Sequence, residues 1–228
     1  LENQSDLHII TPSKWLMDKS KESSLFSKYA QHHIPNGIDD RSLIHQDKIK
    51  ARNKLGFPAD KKILLFVSDW VEREGKGFTF LHEAQNLLNP DERPLLCVAG
   101  RTNLELAGKH FIKLGFVRDE KTMSQVYSAC DAYVLPSLED NLPNTIIESL
   151  LCGTPVIAFP VGGIPEMTEH GKNGILCSDT SADSLKTAIS EFLSGKYEFN
   201  NQEIRKHAID KYGLKNQAKK YCELYKSL

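Results

Sequence analysis

The residues best equipped for chemistry lie in one stretch, Pro136–Val156, PSLEDNLPNTIIESLLCGTPV. Asp140 and Glu148 stand on either side of the seven residues Asn141–Ile147. Pro143 suits the first turn of a helix, where its missing N–H costs nothing, and Asn141 is placed to be the N-cap. The amides of Asn144, Thr145 and Ile146 are then unsatisfied donors at the positive end of a helix, an arrangement that receives an anion. Asp140 sits ahead of this turn and Glu148 about one turn and a half inside it. The helix is otherwise short and apolar (IIESLLCG), so it is expected to pack on a sheet, where a carboxylate needs a partner. Hydroxyl groups of a bound sugar or ribose supply one. The structural alternative has Asp140 complementing the helix dipole and Glu148 as an exposed helix acid.

A second motif is Ser68–Phe78, SDWVEREGKGF, between a strand pattern and a helix pattern. Gly75 and Gly77 flank Lys76, with Arg73 nearby. Glycines let a backbone approach a phosphate, the helix end supplies N–H groups and the cation neutralises charge. Neither a Walker loop nor GxGxxG is present, and an ordinary strand-to-helix loop with a tolerated lysine is the competing reading. In a third stretch, Phe159–Cys177, Gly162-Gly163 follow a strand and allow close approach to a ligand, and Ile164-Pro165-Glu166 starts a short helix.

These loops need a sheet to hold them. Short, nearly continuous apolar runs read as strands at Ile63–Val67, Leu95–Ala99, Ile112–Val117, Ala132–Leu135, Val156–Phe159 and Gly174–Cys177. Unbroken apolarity suits parallel strands covered on both faces. Helical spacing intervenes at Phe78–Leu88, Glu120–Cys130, Thr145–Cys152 and Ser184–Leu193. The alternation predicts an α/β domain with a doubly wound, Rossmann-like parallel sheet, and ligands at the carboxyl ends of its strands. Two terminal helices, Gln202–Lys211 and Leu214–Ser227, follow. Ahead of the sheet lie an apolar strand at His8-Ile9-Ile10, a loop and polar helix within Thr11–Ala30, and a hinge near Ile34–Asp40.

Bulk properties narrow the function. The 228 residues are 40% apolar and 26% charged, with a formal charge of −1, which argues against a nucleic-acid partner or a general membrane-surface binder. No apolar run is long enough to cross a bilayer, and no secretory leader is visible. Cys97, Cys130, Cys152, Cys177 and Cys222 are isolated and lack metal-ligand spacing. Reduced, buried thiols and a cytoplasmic location are expected. The abrupt start, LENQSD, with no methionine, suggests a fragment of a longer protein.

In this order, IPNGID, LLFVSDWVEREGKGF, LLCVAG, KLGFVRDE, VYSACDAYVLPSLEDN and IIESLLCGTPVIAFPVGGIPEMTEHGKNGIL resemble the C-terminal, donor-binding domain of GT-B glycosyltransferases. The similarity is to the retaining family 4, or group 1. HIITPSKWL resembles the last strand and helix of the preceding acceptor domain. The resemblance implies that residues 1–35 end that domain and form the linker, and that residues 36–228 bind a nucleotide-sugar donor such as a UDP- or GDP-sugar. It implies no metal, and a glycan or lipid-linked acceptor bound through a missing N-terminal domain. Peripheral membrane association of the full enzyme is a further expectation, as is little activity from this part alone.

The family signature, two acids separated by seven residues, falls on Asp140 and Glu148. The resemblance implies that Glu148 holds ribose hydroxyls, that Asp140 meets the donor sugar and that Lys76 neutralises the leaving diphosphate. Asn141, Leu142, Pro143, Asn144 and Thr145 would contact the distal phosphate and sugar through their backbone, with Gly163 nearby, and Phe116 and Val117 would border the base. Ser68-Asp69 stand where the family has Gly-Arg, which leaves Arg73, or less directly Arg101, as a substitute cation. Asn141-Leu142-Pro143 replace a Gly-Phe-Gly, and Glu139 is an alternative to Asp140. A nucleotide-sugar epimerase of the same fold and a non-catalytic nucleotide- or carbohydrate-binding domain remain open alternatives.

Overall fold

The computed structural model describes residues 7–106 and 108–228. A first strand, β1 (His8–Thr11), leads into helix α1 (Lys14–Glu22) and returns in β2 (Ala30–His33), which pairs parallel to β1. Neither β2 nor the next helix, α2 (Lys48–Leu55), is anticipated by apolar periodicity. In α2 only Ala51 and Arg52 are buried, so no apolar stripe marks it. Its ends carry the signal instead: Asp47 accepts the amide of Lys50 at 2.9 Å, and Gly56 closes the helix at φ 69°.

The main sheet then builds strand by strand as β3 (Ile63–Trp70), α3 (Phe78–Leu87), β4 (Leu95–Arg101), β5 (Phe111–Gly115), α4 (Glu120–Ala129), β6 (Ala132–Leu135), α5 (Asn144–Leu151), β7 (Val156–Ala158), α6 (Ile164–Met167), β8 (Gly174–Leu176) and α7 (Ala182–Leu193). Its six strands are all parallel, in the order β5-β4-β3-β6-β7-β8. This is the doubly wound α/β architecture. The winding reverses between β3 and β6, so the loops after these two strands diverge and leave a crevice at the carboxyl edge.

Successive strand residues enter opposite cores. Ile63 and Leu65 pack with Tyr127, Tyr133, Ile146 and Ile147 on one face. Leu64 and Phe66 pack with Phe78, Leu81, Leu185 and Ile189 on the other. Both faces are therefore apolar, which is why the strands show no alternation. The terminal helices α8 (Asn201–Tyr212) and α9 (Leu214–Ser227) close the chain. Ile204, Ala208 and Tyr212 anchor α8 in the core, whereas α9 buries only Leu224. No helix among the described residues is long and apolar enough to cross a membrane.

Candidate functional site

Three loops converge at the carboxyl edge where the winding reverses. The first, after β3, carries Gly75-Lys76-Gly77 into α3. Gly77 begins that helix at φ 74°, and a Cβ there would collide with the carbonyl oxygen of Pro136. Only glycine allows this turn to lie against the end of β6. The contact is closed by the amide of Leu138, which donates to the carbonyl of Gly75 at 2.9 Å. Lys76 is thereby aimed at the second loop, where its Nζ lies 2.8 Å from Oδ2 of Asp140. Glu139 beside it is exposed, so Asp140 is the acid of this pair that faces the lysine.

The second loop leads into α5. The cap of this helix differs from the sequence expectation. Pro143 occupies the N-cap with no side-chain hydrogen bond. The Asn141 carboxamide turns away and accepts the hydroxyl of Ser13, so it is spent on the segment preceding the main sheet. The amide of Ile146 is also taken, by the carbonyl of Pro143 at 3.0 Å. Among the described residues, no acceptor meets the amides of Asn144 and Thr145. The free amide donors at this helix end are therefore two, where the sequence suggests three. The Asn144 side chain is exposed and accepts from Asn36 at 3.1 Å.

Glu148 and Thr145 face a cavity of about 300 Å³ lined also by Ile38, Val67, Gly100, Phe116 and Val117. Phe116 and Val117 lie beyond the end of β5 rather than within it, because that strand stops at Gly115. Burial raises the Glu148 carboxyl above its ordinary range, the Tyr127 hydroxyl opposes the rise, and Glu120 adds to it. That hydroxyl donates to Oε2 of Glu148 at 2.9 Å. Tyr133 donates to the Thr145 hydroxyl at 2.8 Å. Both tyrosines are fully buried.

Other residues singled out in the sequence lie elsewhere. Lys76 and Asp140 pair with each other and are not part of the wall of this cavity. Arg73 is exposed and makes its hydrogen bonds through its backbone, to Trp70 and Lys76. Arg101 lies against the rim: its guanidinium stacks over Phe116 at 4.3 Å and pairs with Asp69 at 3.1 Å. Leu142 is buried and lines a separate cavity of about 200 Å³ with His33, Glu166 and Lys211. Gly163 does not line the main cavity, and its amide donates to the carbonyl of Asp140 at 3.1 Å.

The family model for glycosyl transferases group 1 matches residues 61–195, the stretch that carries β3 through α7 and all three loops. The chain belongs to the group 1 glycosyl transferases. It is 29% identical, over 99% of its length, to an uncharacterized glycosyltransferase of Methanocaldococcus jannaschii, of which it covers 61%. It is 28% identical over 81% of its length to the putative teichuronic acid biosynthesis glycosyltransferase TuaC of Bacillus subtilis, covering 46% of that protein. The chain thus spans less than two thirds of these relatives. In fold it matches sucrose-phosphate synthase from Thermosynechococcus elongatus, with a TM-score of 0.83 and 22% identity over 96% of this chain and 58% of that one. It also matches Anabaena HepE in complex with UDP-glucose, with a TM-score of 0.78 and 21% identity over 96% and 63%.

Several side chains of this group 1 glycosyl transferase sit within its motifs without a role in the site being legible from them. Tyr127 and Tyr133 read as core aromatics in the sequence and are core aromatics, but their hydroxyls reach the site. Glu166 turns both carboxylate oxygens onto the start of α1, accepting from Lys14 at 2.9 Å and Trp15 at 2.7 Å. Glu166 lies more than a hundred residues from α1, and nothing local in the sequence signals the contact.

Proposed function

We propose that this chain is the donor-binding half of a retaining glycosyltransferase that moves a sugar from a nucleotide diphosphate sugar to a glycan or lipid-linked acceptor. Residues 36–228 bind the donor, and residues 1–35 end the acceptor domain and link it. The observation that carries this reading is the arrangement around α5. Glu148 and Thr145, one turn apart on α5, face a cavity of about 300 Å³, and the loop that leads into the same helix carries Asp140, paired with Lys76 at 2.8 Å.

In this reading the base enters beside Phe116 and Val117, and the ribose hydroxyls donate to Glu148. The free amides of Asn144 and Thr145, with Lys76, receive the diphosphate. Asp140 meets the hydroxyls of the transferred sugar. The bond from the sugar's anomeric carbon to the diphosphate breaks, and the acceptor oxygen bonds to that carbon on the same face. The departing phosphate oxygen takes the acceptor's proton. Negative charge grows on the diphosphate as it leaves, and Lys76 and the helix amides lie where that charge develops. An ammonium has three donors, so Lys76 can meet a phosphate without releasing Asp140. No metal is assigned a part.

The solved HepE structures carry UDP-glucose, or UDP and glucose, which makes UDP the first ligand to test. Calorimetric titration with UDP, GDP, ADP and their sugars is the experiment. One diphosphate is expected to bind, and Lys76→Ala and Glu148→Ala are each expected to weaken it by about tenfold or more, as for loss of a hydrogen bond to a charged group. Arg73→Ala is expected to change affinity less than Lys76→Ala. Binding of free sugar with no dependence on the nucleotide would replace this reading with a carbohydrate-binding module.

A further inference from the structure

Glu148 is an isolated anion. Among the described residues no lysine or arginine pairs with it, and the one hydrogen-bond partner of its carboxylate is Tyr127. Its surroundings within the cavity are largely apolar, with Ile38, Leu43, Val67, Ala99 and Met123 in the wall. A carboxylate in such a place tends to take up a proton, and a protonated carboxyl loses acceptor capacity.

Tyr127 counters this from a fixed position. Its side chain is fully buried and packs edge-to-face on Tyr133, with ring centroids 5.9 Å apart. Its backbone carbonyl is gripped by the Thr154 hydroxyl at 2.8 Å. A phenol has a single proton to donate, and this one goes to Oε2. Oε1 and the remaining lone pairs are left for the cavity.

We infer that Tyr127 is a positioning residue for donor binding: its buried hydroxyl holds Glu148 as an oriented, ionised acceptor for the two neighbouring hydroxyls of a ribose. The inference rests on the donor reading above and adds a residue that never touches the ligand. The bland account, in which Glu148 merely satisfies a buried phenol, predicts no dependence on the ribose hydroxyls. Other charged or titratable groups around Glu148 are Glu120 on α4, Tyr133 on β6, Cys152 after α5, Asp69 near the end of β3 and Arg118 after β5. Glu120 opposes ionisation, which makes the Tyr127 donor more necessary.

The test is calorimetric titration of the full chain with UDP or GDP, whichever binds tighter, and with the 2′,3′-dideoxy form of the same nucleotide, across pH 5 to 8. Tyr127→Phe, Glu148→Gln and the double variant are compared with wild type. Tyr127→Phe is expected to weaken binding of the ribonucleotide by about tenfold, the scale of a hydrogen bond to a charged group. It should leave the dideoxy nucleotide within about twofold, because that ligand offers Glu148 no hydroxyls. Affinity for the ribonucleotide should fall as the pH drops through the Glu148 titration, and in Tyr127→Phe the fall should begin at higher pH. Tyr127→Phe should add nothing in the Glu148→Gln background. Equal losses for both nucleotides, or an unchanged pH profile, would overturn the positioning role while leaving the donor reading intact. Failure of either nucleotide to bind, or wild-type affinity in Glu148→Gln, would overturn the donor reading itself and the inference with it.

Discussion

The carbonyl oxygen of Asp140 accepts the amide of Gly163 at 3.1 Å, so the third loop of the edge serves as a backrest for the second. Gly162 adds to this. It sits at φ 56°, and a Cβ on it would overlap the same carbonyl. The paired glycines thus fix where Asp140 stands relative to Lys76, through contacts with its backbone. Gly162→Ala is expected to destabilise the chain by about 2 kcal/mol or more, combining the left-handed conformation with a backbone clash. It should also weaken diphosphate binding by shifting the Asp140 backbone. Thermal unfolding and nucleotide titration of the variant measure both effects.

The buried charge on Glu148 carries a cost to folding. Burial raises its folded pKa above the ordinary 4.5. The folded state therefore holds this proton more tightly than the unfolded chain, and stability falls as pH rises from about 4.5 through the raised value. Glu148→Gln removes the charge while its carbonyl can still accept from Tyr127. Above that window the variant should melt higher than wild type, at roughly 2–4 °C per kcal/mol for a chain of this size. The gain should shrink as pH falls to 4.5 and below, and above that window donor binding should be weaker than in wild type by about tenfold or more. Melting curves at pH 4.5 and pH 7.5 measure the difference.

The legible parts of this fold are those whose burial is written in local pattern. The strands from Ile63 to Leu176 are apolar because both sheet faces are covered, and the loops after them are marked by Gly75, Gly77, Gly162 and Gly163. Helix α2 was not legible, because its buried side chains are one alanine and one arginine. The Asn141 cap was misread for a related reason. Local preference put its carboxamide on α5, but Ser13, distant in sequence, offered a donor. Asp140 and Glu148 were readable as a spaced pair, yet only the folded chain reveals that a buried phenol serves Glu148 and a lysine serves Asp140.

Asp131, within the VYSACDAYVLPSLEDN stretch, holds α2 to the sheet. Its carboxylate accepts from Arg52 at 2.7 Å, Lys48 at 2.8 Å and the amide of Ile63 at 2.8 Å. Arg52 is itself buried and also donates to the carbonyls of Ala129, Ala59 and Lys61. Asp131→Ala would leave this guanidinium buried without its counterion, at a cost of about 3–5 kcal/mol. Burial alone would raise the Asp131 pKa, but Lys48, the Ile63 amide and Arg52 together hold it below the ordinary 3.8. Its contribution is therefore complete above pH 3.8 and lost as pH falls through the depressed folded value. Urea titrations of wild type and Asp131→Ala between pH 6 and pH 2 should converge at the acid end.

Glu166 ties the segment before the main sheet to the edge that carries the site. It closes the start of α1 through Lys14 and Trp15, and Lys211 on α8 donates to the main-chain carbonyl of Glu166 at 2.7 Å. A carboxylate at a helix N-terminus also complements the helix dipole. Glu166→Ala removes both acceptors and should cost about 1–2 kcal/mol, the scale of a lost cap. The loss should be local. Amide hydrogen exchange is expected to quicken across α1, at Lys14 and Trp15 first, while the amides of β3 and β6 exchange as before. Unchanged protection in α1 would mean that Ser13 and its bond to Asn141 hold this segment without Glu166. Uniformly faster exchange would place Glu166 in the stability of the whole chain instead.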